Sequence, residues 1–355
     1  MNTLLLHCRP GFENEVCAEL SEHAARLDIP GYARAKPASA YAEFICMDAD
    51  GAERLMRQLR FPELIFPRQW ARGSGFTALP ETDRIGAILE ALAGFPQCGS
   101  LWLEVFDTND GKELSTFCRK FEKPLRAALV KAGKLVEDPS LPRLLLTFRS
   151  GREAFIGVAE ARNCAMWPMG IPRLKFPREA PSRSTLKLEE AWHHFIPRAD
   201  WDRRLAPDML AVDLGASPGG WTWQLVNREM RVVAVDNGPM AENLMYSGLV
   251  EHQRVDGYAF RPRQRMDWMV CDIVEKPART GAMIETWIGE GLCREAIVNL
   301  KLPMKKRYAE VRRILDRLEE SFRERGLKVQ IGCKQLYHDR EEVTCHLRRL
   351  EKGER

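Results

Sequence analysis

Hydrophobic and polar positions alternate along this chain in two textures that meet near residue 184. In the first, short apolar runs ("TLLLHC", "AYAEFICMD", "LIFPRQWARG") are separated by stretches in which apolar residues recur every three or four positions ("FENEVCAELSEHAARL", "AERLMRQLR"). A period near two marks strands and a period near 3.6 marks helices. Residues 1–70 therefore predict a small α+β sheet with helices on one face, of ferredoxin-like type. Residues 71–163 predict a second module. It has a helix around "RIGAILEALAGF", the strand "LWLEVFDT", a long helix "ELSTFCRKFEKPLRAALVKAG", and the run "RLLLTFRSGREAFIGVA", whose Ser150 and Gly151 signal a hairpin. Residues 164–183, "CAMWPMGIPRLKFPREAPSR", are proline-rich with little periodicity and read as a linker.

From Ser184 onward, "STLKLEEAWHHF" places Leu188, Ala191, Trp192 and Phe195 on one helical face. The β-rich runs "MLAVDLG", "RVVAVDNG", "MDWMVCD", "EAIVNLKLP" and "KVQIGCKQLYH" follow, with helical stretches between most of them. That succession predicts an α/β, Rossmann-like, doubly wound and mostly parallel sheet over residues 184–355. Ligands of such sheets sit at the carboxyl ends of the strands.

The stretch "VDLGASPGGWTWQL" reads as a strand, a small-residue turn and a helix start. Gly215, Ser217, Pro218, Gly219 and Gly220 leave room for backbone N–H groups to approach a ligand, and Trp221 begins the helix, whose amino end favours negative charge. Asp236 ends the second strand of this region, where a carboxylate accepts hydrogen bonds from ribose hydroxyls. This pairing suits either a dinucleotide or S-adenosyl-L-methionine. The G-x-G-x-x-G pattern fails at Ser217, and Pro218 has no N–H for a pyrophosphate. No G-x-x-x-x-G-K-[ST] loop is present either. Asp256, in "RVDGYAF" after a third strand, suits an adenine amino group. The residues thus favour S-adenosyl-L-methionine over NAD. Singly, each has a plain structural reading: close strand–helix packing for Gly219 and Gly220, a cap for Asp236.

Five motifs in order make the region similar to the FtsJ-type RNA 2′-O-ribose methyltransferases: "SRSTLKLEEAW", "DLGASPGGWTWQL", "DWMVCD", "NLKLP" and "DREEVTCHL". The resemblance implies catalytic roles for Lys187, Asp272, Lys301 and Glu342, and a cofactor site that includes Ser184 and Asp272 beside the turn. Glu342 is preferred to the adjacent Glu341 because a valine follows it. Ser217 stands where that family often has alanine or cysteine. Segments such as "CRPGFE", "FCRKF", "GIPRLKFP" and "LKLPMKKRY" extend the resemblance over the whole chain, to members that act on large-subunit ribosomal RNA. This implies a THUMP-type RNA-binding module ahead of the catalytic domain and a cytidine of 23S rRNA as substrate.

Chemistry gives these types a reason. A ribose hydroxyl attacks a methyl sulfonium well only as it loses its proton, so the site needs a base and an in-line geometry. Lysine serves as a base only when neutral, and a neighbouring cation disfavours its ammonium form. Lys187 is thus expected to depress Lys301, the base, while Asp272 and Glu342 orient the pair. Lys301 stands out because it ends a run that reads as a buried strand, where lysine is normally avoided. Without the other motifs, Lys187 reads as a solvated lysine, Asp272 as a strand end and Glu342 as a partner of Arg340. Base methylation is the competing reaction, but Cys271 lacks the Pro-Cys setting of a cytosine-C5 enzyme and no Asn/Asp-Pro-Pro-Tyr/Phe run exists. A non-catalytic assembly factor is the competing class.

Charge refines the partner. The 54 basic and 50 acidic residues leave a net charge of only +4, so local clusters such as "KLPMKKRYAEVRR", "FCRKFEKPLR" and "GIPRLKFPRE" carry the expectation of RNA binding. A duplex ribose is hard to align, so a single-stranded or incompletely folded RNA target is expected. The ten cysteines show no C-x-x-C pair, and His193 and His194 lack ligand spacing, so neither a metal nor a disulfide framework is expected. No run of 18 apolar residues or signal peptide is evident, which suggests a cytoplasmic, non-membrane protein.

Overall fold

A computed structural model describes residues 1–351 and 353. The chain divides into two compact units, Met1–Pro172 and Arg173–Arg355, so the division falls inside the proline-rich stretch. Unit 1 contains β1 (Thr3–His7), α1 (Glu13–Arg26), β2 (Gly31–Ala35), β3 (Tyr41–Cys46), α2 (Gly51–Gln58), β4 (Gln69–Ala78), α3 (Arg84–Ala91), β5 (Ser100–Val105), α4 (Asn109–Lys131), β6 (Arg143–Ser150) and β7 (Glu153–Ala159). Its strands form one sheet in the order β2-β3-β1-β4-β7-β6-β5. β4 begins at the boundary between the two modules expected from the sequence, yet it pairs with both β1 and β7, so the sheet is continuous across that boundary.

Helix α1 buries Val16, Leu20 and Ala24 at helical spacing. Its buried carboxylates also tie loops down: Glu13 accepts from the amides of Gly11 and Ala40, and Glu19 from those of Ile65 and Phe66. Such bonds keep buried charge from being uncompensated. Helix α4 is capped by the Thr108 hydroxyl, which accepts from the Gly111 amide at 3.1 Å, and it buries Cys118, Leu125 and Leu129.

Unit 2 contains α5 (Thr185–Phe195), α6 (Trp201–Arg204), β8 (Leu210–Leu214), α7 (Gly220–Val226), β9 (Arg231–Val235), α8 (Glu242–Met245), β10 (Val250–Gln253), β11 (Met266–Cys271), α9 (Pro277–Gly289), β12 (Cys293–Lys301), α10 (Arg307–Glu324), β13 (Val329–Lys334) and β14 (Glu342–Arg349). The sheet order is β10-β9-β8-β11-β12-β14-β13. The first five of these are parallel and β14 runs antiparallel to both its neighbours. This is the doubly wound, mostly parallel sheet that the sequence predicts. The chain leaves β8 in one direction to β9 and later returns on its other side as β11, which makes the carboxyl end of β8 a switch point and opens a crevice there.

Strands β8, β11 and β12 are buried almost throughout, as strands covered on both faces must be. Leu188, Ala191 and Trp192 of α5 join Trp221 and Leu225 of α7 against Ala211, Val232, Trp268, Val270 and Ile297 of the sheet. Buried charge at the other end of β12 is paired, with Glu295 contacting Arg204 and lying 2.7 Å from His346. All ten cysteines are free thiols. Among the described residues, no helix is long and apolar enough to cross a membrane.

Candidate active site

Three strand ends and one helix bring four charged side chains to the carboxyl rim of the unit 2 sheet. Asp272 follows β11 and Lys301 ends β12, which pairs with β11 in parallel. Glu342 opens β14 and stands directly opposite Lys301 in the antiparallel register. Lys187 comes from the first turn of α5. The Lys301 ammonium donates to Asp272 Oδ1 at 2.5 Å and to Glu342 Oε2 at 3.2 Å. Lys187 Nζ lies 3.0 Å from Asp272 Oδ2 and 2.6 Å from Glu342 Oε1. Each ammonium thus touches both carboxylates, and each carboxylate touches both ammoniums.

This alternation changes the electrostatics expected from the sequence. Lys187 does not face Lys301 as an isolated neighbouring cation, because a carboxylate stands on either side of it. Burial works against the Lys187 charge, but Asp272 and Glu342 outweigh it and hold the ammonium above the ordinary lysine range. Burial also opposes the charges of Asp272 and Glu342, and the two lysines, aided at Asp272 by Asn299, hold both carboxyls below their usual range. The cluster is neutral overall, which lets four ionised groups share a half-buried space.

Glu341, the alternative to Glu342, points elsewhere: it is 61% exposed and accepts from Arg307 at 2.8 Å. The side chain of Glu342 is 9% exposed. Its only bond with Arg340 is to the backbone amide of that residue. Sequence reasoning missed Asn299. Its side chain is fully buried, donates to Asp272 Oδ1 at 2.9 Å and accepts from the Thr344 hydroxyl at 2.8 Å. The available signal was a polar residue inside the run "AIVNLKL", two positions before Lys301 on the same side of the strand.

The glycine turn is built beside this cluster. Gly215 has φ +78° and Gly219 φ +115°, conformations that favour glycine. A Cβ on Gly215 would lie 2.5 Å from Ile273, and one on Gly219 would collide with Leu244. The amides of Gly215 and Ala216 donate to the carbonyl of Val235, and that of Ser217 donates to Asp236. These three N–H groups therefore close the turn onto β9, and any left for a ligand lie at Gly219, Gly220 and Trp221. The Ser217 hydroxyl donates to the Pro239 carbonyl, and the Pro218 carbonyl accepts from Ala241. Trp221 is a core residue whose indole donates to the Ser184 carbonyl at 2.9 Å. Gly220 packs against Ser184, leaving no room for a side chain.

Beneath the turn, Asp213 is buried and accepts from the Thr222 hydroxyl at 2.7 Å. Burial pushes its carboxyl up to about 7, with Asp272 and Asp236 adding to the effect. In the linear pattern Asp213 is visible only as part of a strand.

The donor set suits S-adenosyl-L-methionine. Each Asp236 oxygen accepts one backbone N–H, from Ser217 at 3.1 Å and Gly238 at 2.7 Å. A carboxylate has about four lone-pair sites, so a fixed acceptor remains for a vicinal diol. A Cβ on Gly238 would lie 2.7 Å from the Ser217 oxygen and 3.2 Å from Asp236, so only glycine keeps this cradle open. Asp256 is exposed and accepts from the Tyr258 amide at 2.9 Å, which leaves acceptor capacity for an amino group. Among the described residues, no group of three or more His, Cys, Asp or Glu side chains is placed to hold a metal ion.

Comparison with known proteins agrees with this geometry. Residues 1–71 match the RlmM ferredoxin-like domain, residues 83–160 match the family described as Ribosomal RNA large subunit methyltransferase M, N-terminal, and residues 180–298 match the FtsJ-like methyltransferase family. The chain is 83% identical to Ribosomal RNA large subunit methyltransferase M of Pseudomonas aeruginosa strain LESB58, over 99% of this chain and all of that one. It is 78% identical to the protein of the same name from Ectopseudomonas mendocina, over 98% of this chain and 99% of that one. It is 74% identical to that of Azotobacter vinelandii, over 99% of each chain. On its fold, its charged cluster beside a glycine turn and this full-length similarity, the chain belongs to the ribosomal RNA large subunit methyltransferase M family and is an enzyme that uses S-adenosyl-L-methionine.

Proposed function

We propose that the enzyme methylates the ribose 2′-hydroxyl of a cytidine in 23S rRNA, with Lys301 as general base. The observation that carries this reading is the Lys301 amine, 2.5 Å from Asp272 and 3.2 Å from Glu342, at the strand end beside the glycine turn. When bound, S-adenosyl-L-methionine would supply an electrophilic methyl carbon on a sulfonium, with a neutral thioether as the leaving group. Lys301 first releases its ammonium proton to solvent and then, as the free amine, takes the hydroxyl proton while the new oxygen–carbon bond forms and the carbon–sulfur bond breaks. Lys187, held protonated by its two carboxylates, steadies the developing charge on that oxygen. Asp272 and Glu342 fix both amines, and Asn299 fixes Asp272. Gly215, Ser217, Gly219, Gly220, Asp236 and Asp256 form the cofactor's side of the crevice.

Chemistry on the base finds less support. Cys271 is fully buried and its thiol is pushed up to about 12 by burial, which unsuits it as a nucleophile. An unpaired target fits a hydroxyl that must be presented in line. We assign unit 1 the RNA-binding role, as a ferredoxin-like portion over residues 1–70 and a THUMP-type portion over 71–163, because Arg119, Lys120, Lys123 and Arg126 line exposed positions of α4. Action on ribosomal RNA supports a cytoplasmic location.

The deciding experiment is nucleoside mass spectrometry of unmodified 23S rRNA incubated with enzyme and labelled cofactor. The methyl is expected on ribose, and Lys301→Ala is expected to lose it while calorimetry still shows cofactor binding. A methyl on the base, or undiminished transfer by Lys301→Ala, overturns the assignment.

A further inference from the structure

Exposed large hydrophobic side chains are unevenly distributed over the sheet ends of unit 2. Val274 and Met304 are each 86% exposed. Val274 lies two residues beyond Asp272, and Met304 three beyond Lys301, which limits each to ~7–11 Å of chain from its cluster residue. They therefore leave neighbouring parallel strands on the carboxyl rim and flank the charged cluster. Among the described residues, the connections entering β8, β9, β11 and β12 at the opposite rim, 205–209, 227–230, 261–265 and 290–292, carry no exposed large hydrophobic side chain, and the exposed Tyr246 at that rim precedes β10, three strands away from β11 in the sheet. Single exposed apolar residues need no explanation, but two bracketing one reactive site do.

The same two loops carry unneutralised positive charge. Lys276, Lys305 and Lys306 are exposed. Among the described residues, none of their ammonium groups is in a hydrogen bond or ion pair. The nearby arginines, by contrast, are engaged: Arg279 with Glu275 and Arg307 with Glu341. Lys306 also has φ +55°, a left-handed backbone unusual outside glycine. Strain of this kind collects where a loop must present a particular surface.

We infer that Val274 and Met304 form an apolar seat for the unstacked base of the target nucleotide, with Lys276, Lys305 and Lys306 holding the flanking phosphates. This deepens the 2′-O-methylation reading and rests on it. An unpaired nucleobase presents an apolar face directly beside a phosphate backbone, and the two loops offer both complements within a few residues. The polarisable thioether of Met304 adapts to a flat ring. The lysines act as salt-sensitive point charges. The base is thereby held at the rim while its ribose hydroxyl faces Lys301.

The test uses the full chain with unmodified 23S rRNA. A Val274→Ser/Met304→Gln double variant changes only exposed positions and is expected to keep its circular dichroism and cofactor affinity. Its kcat/KM for RNA falls tenfold or more, mainly through KM, while the salt dependence of RNA binding is unchanged. A Lys305→Ala/Lys306→Ala variant behaves differently: its log K against log salt becomes shallower by about 1.4, the loss of two single-strand phosphate contacts. A double apolar variant with kcat/KM within twofold of the unaltered enzyme overturns the base seat, and an unchanged salt slope overturns the phosphate contacts. In either case the loss of transfer by Lys301→Ala leaves the reaction itself standing. If Lys301→Ala keeps full transfer, the reaction reading fails, and this inference with it.

Discussion

Replacing Asp213 with asparagine separates a structural carboxylate from the reactive ones. Asp213 is 1% exposed, sits beneath the glycine turn and accepts a 2.7 Å bond from the Thr222 hydroxyl. Burial lifts its carboxyl from the ordinary 3.8 to about 7, and Asp272 and Asp236 push the same way. The folded protein therefore binds this proton more tightly than the unfolded chain. The stability this contributes is complete below pH 3.8 and is lost as pH rises towards 7. The whole gap corresponds to ~4 kcal/mol, of which ~3 kcal/mol is lost between pH 5 and pH 8. Asparagine keeps the acceptor for Thr222 but adds an amide donor that must find a partner, at a cost of ~1–3 kcal/mol that does not vary with pH. The stability of Asp213→Asn relative to the unaltered protein is thus expected to improve by ~3 kcal/mol from pH 5 to pH 8. Calorimetric unfolding at the two pH values measures this difference. A relative stability equal at both, within ~0.5 kcal/mol, refutes the reasoning, because it means that Asp213 does not titrate differently in the folded chain.

Other substitutions probe the remaining elements. Asn299→Ala removes a buried donor to Asp272 and the acceptor of Thr344; single-turnover methylation is expected to slow by up to about 10²-fold through misplacement of the cluster, with cofactor affinity retained. Glu342→Gln leaves both lysines with Asp272 alone and is expected to lower kcat by at least an order of magnitude. Glu341→Gln removes only an exposed pair with Arg307 and is expected to stay within about twofold; the reverse ranking in a methylation assay would reassign the two glutamates. Gly219→Ala places a side chain at φ +115° and against Leu244, with an expected loss of ~1–3 kcal/mol of stability and weaker cofactor binding by calorimetry.

The apolar runs of unit 2 were legible because buried parallel strands must be nearly continuous in hydrophobic residues. The runs that became β8, β9, β11 and β12 stand out on that ground alone. The glycine turn was legible too, since φ values of +78° and +115° leave few alternatives to glycine. β2 was not legible: it is an edge strand with mostly exposed residues, "GYARA", held in part by the Arg34–Glu43 pair, and exposed edges impose little hydrophobic pattern. Asp213 and Asn299 were hidden for the opposite reason, as polar residues inside runs whose apolar neighbours dominate the reading.

The sequence by itself determined the sheet type, the small-residue turn and the identity of the charged residues, because backbone sterics and burial act locally on residue type. How those charges meet is a property of the folded chain. Residues 187, 272, 301 and 342 converge because β14 inserts antiparallel beside β12 and sets Glu342 opposite Lys301, while α5 delivers Lys187 from far upstream. That convergence also decided the sign of the field at Lys187: two carboxylates, not a second cation, are its nearest neighbours. Coulomb energy depends on distances that no linear spacing contains.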